Sequence, residues 1–192
     1  MNLTLKSDRL LLRPLGENDL DICFEQFTDP QVMQHLGKLK TRQQVVDNMS
    51  DRCRRAGGGC IGVWCLIDQV TAEKFGTAIL LPLPIDRDDI DWSLVHGAEI
   101  PPGEIQIGYI LKRSAWGRGY ATEACRRQLR FAFADTPMEE IVATTDPENA
   151  ASQRVLTKCG LASEGHRRAY NTDDISGFRI SKAEWLSVAA RH

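Results

Sequence analysis

No apolar run in these 192 residues approaches the ~20 residues of a membrane-spanning helix. The segment Met1 to Asp8 has neither a long apolar core nor a small-residue cleavage site, so no secretory leader is read there and a cytoplasmic location is expected. Neither charge sign dominates. Lys and Arg number 24 and Asp and Glu 26, for a net charge of −2, so no basic face for nucleic acid is implied. The six cysteines (Cys23, Cys53, Cys60, Cys65, Cys125 and Cys159) include no C-x-x-C, and most lie in apolar patterns. They read as buried thiols rather than disulfides. The four histidines (His35, His96, His166 and His192) are scattered, with no metal-ligand spacing, and no metal is expected. Repeats, linkers and low-complexity tracts are also missing, and the length fits one domain over residues 1–192.

What is present alternates between strand and helix signals. Arg9 to Leu15 reads as a first strand, stopped by Pro14 and Gly16. Leu20, Cys23, Phe24 and Phe27 make one apolar helical stripe. Asp29-Pro30 predicts an N-cap with proline in the first turn, and Thr41-x-x-Gln44 predicts a capping box. The helix opened by Thr41 carries Val46, Met49 and Cys53 on one face and ends at Gly57-Gly58-Gly59. Strands are expected over residues 61–67 and 75–81, then an acidic loop over 84–103, which as a long loop is either functional or solvated surface. A central strand over 104–111 follows, with a helix from Thr122 to about Ala134. Next come a strand over 140–145 and a helix from Asn149 to Cys159 ended by Gly160. Two weaker strands (161–166 and 177–180) precede a last helix capped by Ser181-x-x-Glu184, with Trp185 and Val188 inward. The order predicts an α/β fold of mixed α+β type, with one sheet of about seven strands flanked by helices.

The most informative stretch is Trp116-Gly117-Arg118-Gly119-Tyr120-Ala121-Thr122. It joins the central strand to a helix start. Backbone N–H groups there lack intrahelical partners and the helix dipole favours an anion. Without Cβ atoms, Gly117 and Gly119 let a phosphate approach the backbone. Such a turn alone is as often a tight connection as a cofactor site. Read only as structure, Tyr109 and Tyr120 are core or rim aromatics, Glu123 complements the helix dipole, and Ser152 is a cap.

With these residues in place, the chain resembles the GNAT-fold N-acetyltransferases, in the branch that acetylates ribosomal-protein N-termini and related acceptors. Trp116-x-x-Gly119-x-Ala121 stands at the family's Gln/Arg-x-x-Gly-x-Gly/Ala signature. Arg9 to Leu15, Asn149 to Leu161 and Phe178 to Trp185 resemble the branch's opening, second cofactor and closing segments, in the right order. The resemblance implies acetyl-CoA and direct acetyl transfer to a primary amine, either a protein N-terminus or a small amine such as a polyamine, aminoglycoside or amino acid. It implies a pyrophosphate on the N–H groups of Gly117 to Thr122 with Arg118 nearby, and a pantetheine arm along the Gln106–Leu111 strand. The N–H of Ile110 or Leu111 would bond the thioester carbonyl, Asn149 the pantetheine, and Lys158 a phosphate. A homodimer is implied by family analogy.

Two positions depart from the pattern besides Trp116. The usual tyrosine acid is Leu156, which leaves Ser152 as candidate donor to the departing thiolate. The usual glutamate base is Gln106, which leaves Glu104, one pleat further out, acting through water. These departures motivate an alternative, a non-catalytic acyl-CoA-binding regulatory module on the same fold. A nucleotide-binding protein built on the glycine turn is disfavoured because G-x-x-x-x-G-K-[ST] and the third glycine of a dinucleotide motif are missing.

Overall fold

The computed structural model describes residues 1–189. Its strands are β1 (Leu5–Lys6), β2 (Leu10–Pro14), β3 (Gly62–Asp68), β4 (Lys74–Pro82), β5 (Ile105–Leu111), β6 (Glu140–Thr145), β7 (Ala162–Ala169) and β8 (Thr172–Ser181). They form one sheet in the order β1-β2-β3-β4-β5-β6-β8-β7. Only the β5–β6 pair is parallel. The expected mixed sheet is present, with eight strands rather than about seven. The added strand, β1, is two residues long, too short for any periodic signal. Pro14 closes β2 opposite Trp64 instead of stopping the strand before it.

The helices are α1 (Leu20–Phe27), α2 (Pro30–Met33), α3 (Arg42–Asp47), α4 (Met49–Arg52), α5 (Tyr120–Asp135), α6 (Ala150–Lys158) and α7 (Lys182–Ala189). Their starts follow local chemistry. Asp29 accepts from the Gln31 N–H with Pro30 at the first position of α2. Thr41 and Gln44 exchange both capping-box bonds, and Ser181 and Glu184 do the same at α7. Among the described residues no helix is long and apolar enough to cross a membrane.

Two helical readings shift. The helix after Thr41 is broken at Asn48, whose ψ of −4° unwinds it, so a face drawn across the break falls out of phase. Val45 is buried there and Val46 is 43% exposed. In α1 the inward residues are Ile22, Cys23, Gln26 and Phe27, with Leu20 and Phe24 at the margin. Trp185 packs on Phe133 with ring centroids 5.7 Å apart, while the Val188 side chain lies outside the described residues.

The core sits between sheet and helices. Trp64, fully buried, meets Phe131 of α5 edge-on at 5.8 Å, and its indole N–H donates to the Leu3 carbonyl. Asp19 fixes the start of α1 beneath it. Its fully buried carboxylate accepts two bonds from Arg13 (2.7 and 2.8 Å) and one from the Gly16 N–H (2.9 Å), and it pairs with Lys74 at 2.9 Å. Burial alone would raise this carboxyl, but those four donors lower it from 3.8 to about 2. A group depressed in the folded state stabilises above its unfolded pKa and loses that contribution as pH falls. Asp19 therefore supports the fold above pH 4 and ceases to do so toward pH 2. Acid unfolding of Asp19→Asn, followed by circular dichroism, should lack roughly 2 kcal/mol of the parent's pH dependence between those limits.

Candidate functional site

The site begins where two strands part. β5 pairs with β4 along its whole length but with β6 only at Gln106 opposite Val142. Leu83 N–H donates to the Glu104 carbonyl, and Lys112 N–H to the Phe75 carbonyl. Hydrogen-bonding direction alternates along a strand, so the even-numbered residues Gln106, Gly108 and Ile110 aim their backbone groups at β4, and the odd-numbered ones aim theirs at β6. Past Ile107 there is no β6 partner. The N–H groups of Tyr109 and Leu111 therefore face an open gap, while the Ile110 N–H faces β4 and the Ile110 carbonyl accepts 2.6 Å from Gln26 Nε2. Of the two expected thioester donors, the geometry keeps Leu111 and turns Ile110 away.

The glycine turn closes the far end of this gap. Gly117 and Gly119 adopt φ of 71° and 81°, left-handed values that glycine tolerates. α5 starts at Tyr120, two residues earlier than the sequence suggested. Among the described residues, no N–H from Gly117 to Thr122 donates to a backbone acceptor outside the regular ladders, and a Cβ on Gly117 would meet nothing. This row of free donors at a helix start, with Ala121 and Thr122 in the first turn, fits a pyrophosphate. Trp116 is half-exposed, and its indole N–H donates to the Leu111 carbonyl at 2.8 Å, tying strand end to turn. The Arg118 guanidinium lies over the Tyr120 ring at 4.9 Å, and Tyr120 stacks on Phe75 at 4.4 Å.

α6 borders the gap from the β6 side. Asn149 caps it, its Oδ1 accepting 3.0 Å from the Ser152 N–H. The Ser152 hydroxyl lies 3.2 Å from the Tyr109 hydroxyl, which also bonds the Ser152 carbonyl at 3.2 Å. Burial, above all, pushes the Tyr109 hydroxyl far above its ordinary pKa, so it keeps its proton throughout the physiological range. The sequence pattern marks Tyr109 only as a core or rim aromatic; no spacing rule links it to Ser152. Lys158 ends α6 beside α5. Arg126 donates to its carbonyl at 2.9 Å, and neighbouring Cys159 meets the Thr122 carbonyl, which sets Lys158 near the turn.

The opposite face of β5 gives a different result for the expected base. Glu104 lies just before β5, and its carboxylate is ion-paired with Arg167 of β7, so it is held by a cation rather than free to take a proton. Gln106 is buried and occupied, donating to the Pro82 carbonyl and accepting 2.9 Å from the Tyr170 hydroxyl. Burial raises that hydroxyl to about 12. Sequence reading missed a further pair. His35, just after α2, places Nδ1 3.3 Å from an Asp146 oxygen at the end of β6. Its Nε2 lies 2.7 Å from Gln34 Nε2. The two ring nitrogens thus face a carboxylate and the exposed Gln34 amide.

The acidic 84–103 segment is less open than a bare loop. Val95 is fully buried. Asp86 pairs with Arg168, Asp89 with Lys40 and Asp91 with Arg87, and Asp88 accepts from Asn171. Asp86, Asp88 and Asp89 thus tie the segment to the α2–α3 connection, to β7 and to the turn after it, while Asp91 is paired within the segment.

Residues 9–162 match the acetyltransferase (GNAT) domain family. The uncharacterized protein YkkB of Bacillus subtilis is 30% identical over 158 residues, 82% of this chain and 84% of its own length. The FsC-acetyl coenzyme A-N(2)-transacetylase of Aspergillus fumigatus is 26% identical over 196 residues, covering 96% and 79%. Among solved structures, spermidine N-acetyltransferase from Vibrio cholerae in complex with CoA and spermine superposes with a TM-score of 0.70 at 16% identity, over 94% of this chain and 99% of that one. At that identity the likeness is one of fold.

Proposed function

The chain belongs to the acetyltransferase (GNAT) family of acetyl-CoA-dependent enzymes, and from that premise we propose that it acetylates a primary amine at the β5–β6 gap. The supporting observation is the parted strand pair, with free N–H groups along it, a hydroxyl pair beside it and an unpartnered glycine turn at its end. Acetyl-CoA, when bound, supplies a thioester whose acetyl group passes to the amine.

The chain's own residues then have distinct tasks. The Gly117–Thr122 N–H groups and Lys158 hold phosphate charge, and Asn149 orients the arm. The Leu111 N–H stabilises negative charge developing on the carbonyl oxygen. The Ser152 hydroxyl, backed by Tyr109, gives a proton to the departing sulfur. An amine attacks only when neutral. On the acceptor side His35, set on Asp146, takes that proton on Nε2 once the exposed Gln34 amide yields it to the amine, whereas Glu104, held by Arg167, serves to fix β7 against β5. The acceptor reaches the even-numbered face of β5. It is a protein N-terminus, as in the ribosomal-protein branch, or a small amine.

Release of free CoA from acetyl-CoA, measured across peptides, polyamines, aminoglycosides and amino acids, tests this reading. Acceptor-dependent release is expected, about a hundredfold lower in Ser152→Ala, about tenfold lower in His35→Gln and within about twofold of the parent in Glu104→Gln. Tight acetyl-CoA binding without release for any amine would instead make the chain a non-catalytic acyl-CoA-binding module.

A further inference from the structure

Arg9 stands just before β2, far in sequence from the glycine turn, yet it touches three successive parts of that turn. Its Nη1 donates to the Arg118 carbonyl at 3.0 Å. Its guanidinium lies 4.4 Å over the Tyr120 ring. Its Nε and Nη2 both reach Glu123 Oε2 at 2.7 Å. The other Glu123 oxygen accepts from the Arg9 backbone N–H at 2.7 Å and the Ser7 hydroxyl at 2.8 Å. Glu123 thus has more to do than complement a helix dipole. It anchors the start of α5 to the strand that carries Arg9.

We propose that Arg9, through Glu123 and the Arg118 carbonyl, is the positioning residue for the pyrophosphate of CoA. The inference rests on the proposed acetyl-CoA site and adds to it what sets the turn's shape. In a planar trans peptide, C=O and N–H point in opposite directions. Holding the Arg118 carbonyl toward Arg9 therefore aims the Gly119 N–H away from Arg9 and outward. The Gly119 carbonyl accepts from the Glu123 N–H at 3.1 Å, which directs the Tyr120 N–H out of the helix end in the same way. Two consecutive donors are fixed before any ligand arrives, so less ordering remains for binding. Charge gives a second reason. A carboxylate in the first turn of α5 stabilises the helix but repels a phosphate at that helix start, and Arg9 cancels the repulsion while keeping the anchor. A lysine would retain the charge but not the planar fork that reaches carboxylate and carbonyl together.

The test is binding, read by NMR titration with two probes. Acetyl-CoA carries the pyrophosphate, and acetylpantetheine ends before it. Arg9→Met should weaken acetyl-CoA about tenfold and Arg9→Lys about threefold, with acetylpantetheine affinity unchanged. Circular dichroism checks that each variant is folded. Arg9→Lys serves if Arg9→Met is not. An unchanged acetyl-CoA affinity in a folded variant overturns the proposal, as does equal weakening of both probes, which a general structural role would produce. Failure of the parent to bind acetyl-CoA at all would remove the proposed function and this inference together, an outcome distinct from the other two.

Discussion

Tyr109→Phe is expected to lower acetyl transfer about a hundredfold while leaving acetyl-CoA affinity within about twofold. Among the described residues the phenol oxygen hydrogen-bonds Ser152 alone, and it lies beside the gap rather than at the phosphate end. Removing its oxygen leaves the ring's packing in place and deletes a donor at the sulfur's side. General acids contribute on the order of a hundredfold or more to reactions with poor leaving groups, and a thiolate is a moderately good one, so the low end of that range applies. Burial, the first cause of the raised hydroxyl pKa, keeps it protonated, so the parent's alkaline limb should show no loss attributable to Tyr109 up to pH 10. If Ser152 and Tyr109 act as one relay, Tyr109→Phe with Ser152→Ala costs little more than Tyr109→Phe alone. Additive losses would mean two independent roles. A Tyr109→Phe rate within a factor of about two of the parent would sink the assignment.

Gly76→Ala should be the most disruptive single methyl in the sheet. A Cβ on Gly76 of β4 would stand 2.1 Å from the Ile110 carbonyl oxygen and 2.9 Å from the Leu111 Cα, both backbone atoms. No rotamer change relieves that overlap, so β4 and β5 must move apart. Overpacking of this kind costs about 3 kcal/mol at the upper end of the usual range. The displacement falls at the part of β5 that lines the gap, and the Ile110 carbonyl also holds Gln26 of α1. Thermal unfolding should show the stability loss, and acetyl-CoA titration of the folded fraction should show weaker binding as well. A variant with the parent's melting temperature would contradict the packing read from these distances.

Much of this architecture was legible because its signals are local. Asp29-Pro30, Thr41-x-x-Gln44 and Ser181-x-x-Glu184 cap helices where the sequence put them, since each is completed within three residues. The glycine turn, too, is recognisable from its own residues. What escaped depends on residues distant in the chain. β1 exists through its pairing with β2, and Tyr109 matters through Ser152. Glu104 is claimed by Arg167, and His35, just after α2, meets Asp146, just after β6, more than a hundred residues away. Over 84–103 composition reveals how many carboxylates there are but not which cations hold them.

β5 sends Tyr109 toward α6 and Gln106 toward the β7–β8 turn, and its backbone parity sorts groups that face the gap from those spent on β4. One strand is thus a party wall between two rooms. On the proposed reading, drift at the even-numbered side chains and at the loops they face would redecorate the acceptor room, altering which amine is welcomed, while the odd-numbered side kept the cofactor room intact. A lineage built on this plan can change clients without rebuilding its engine.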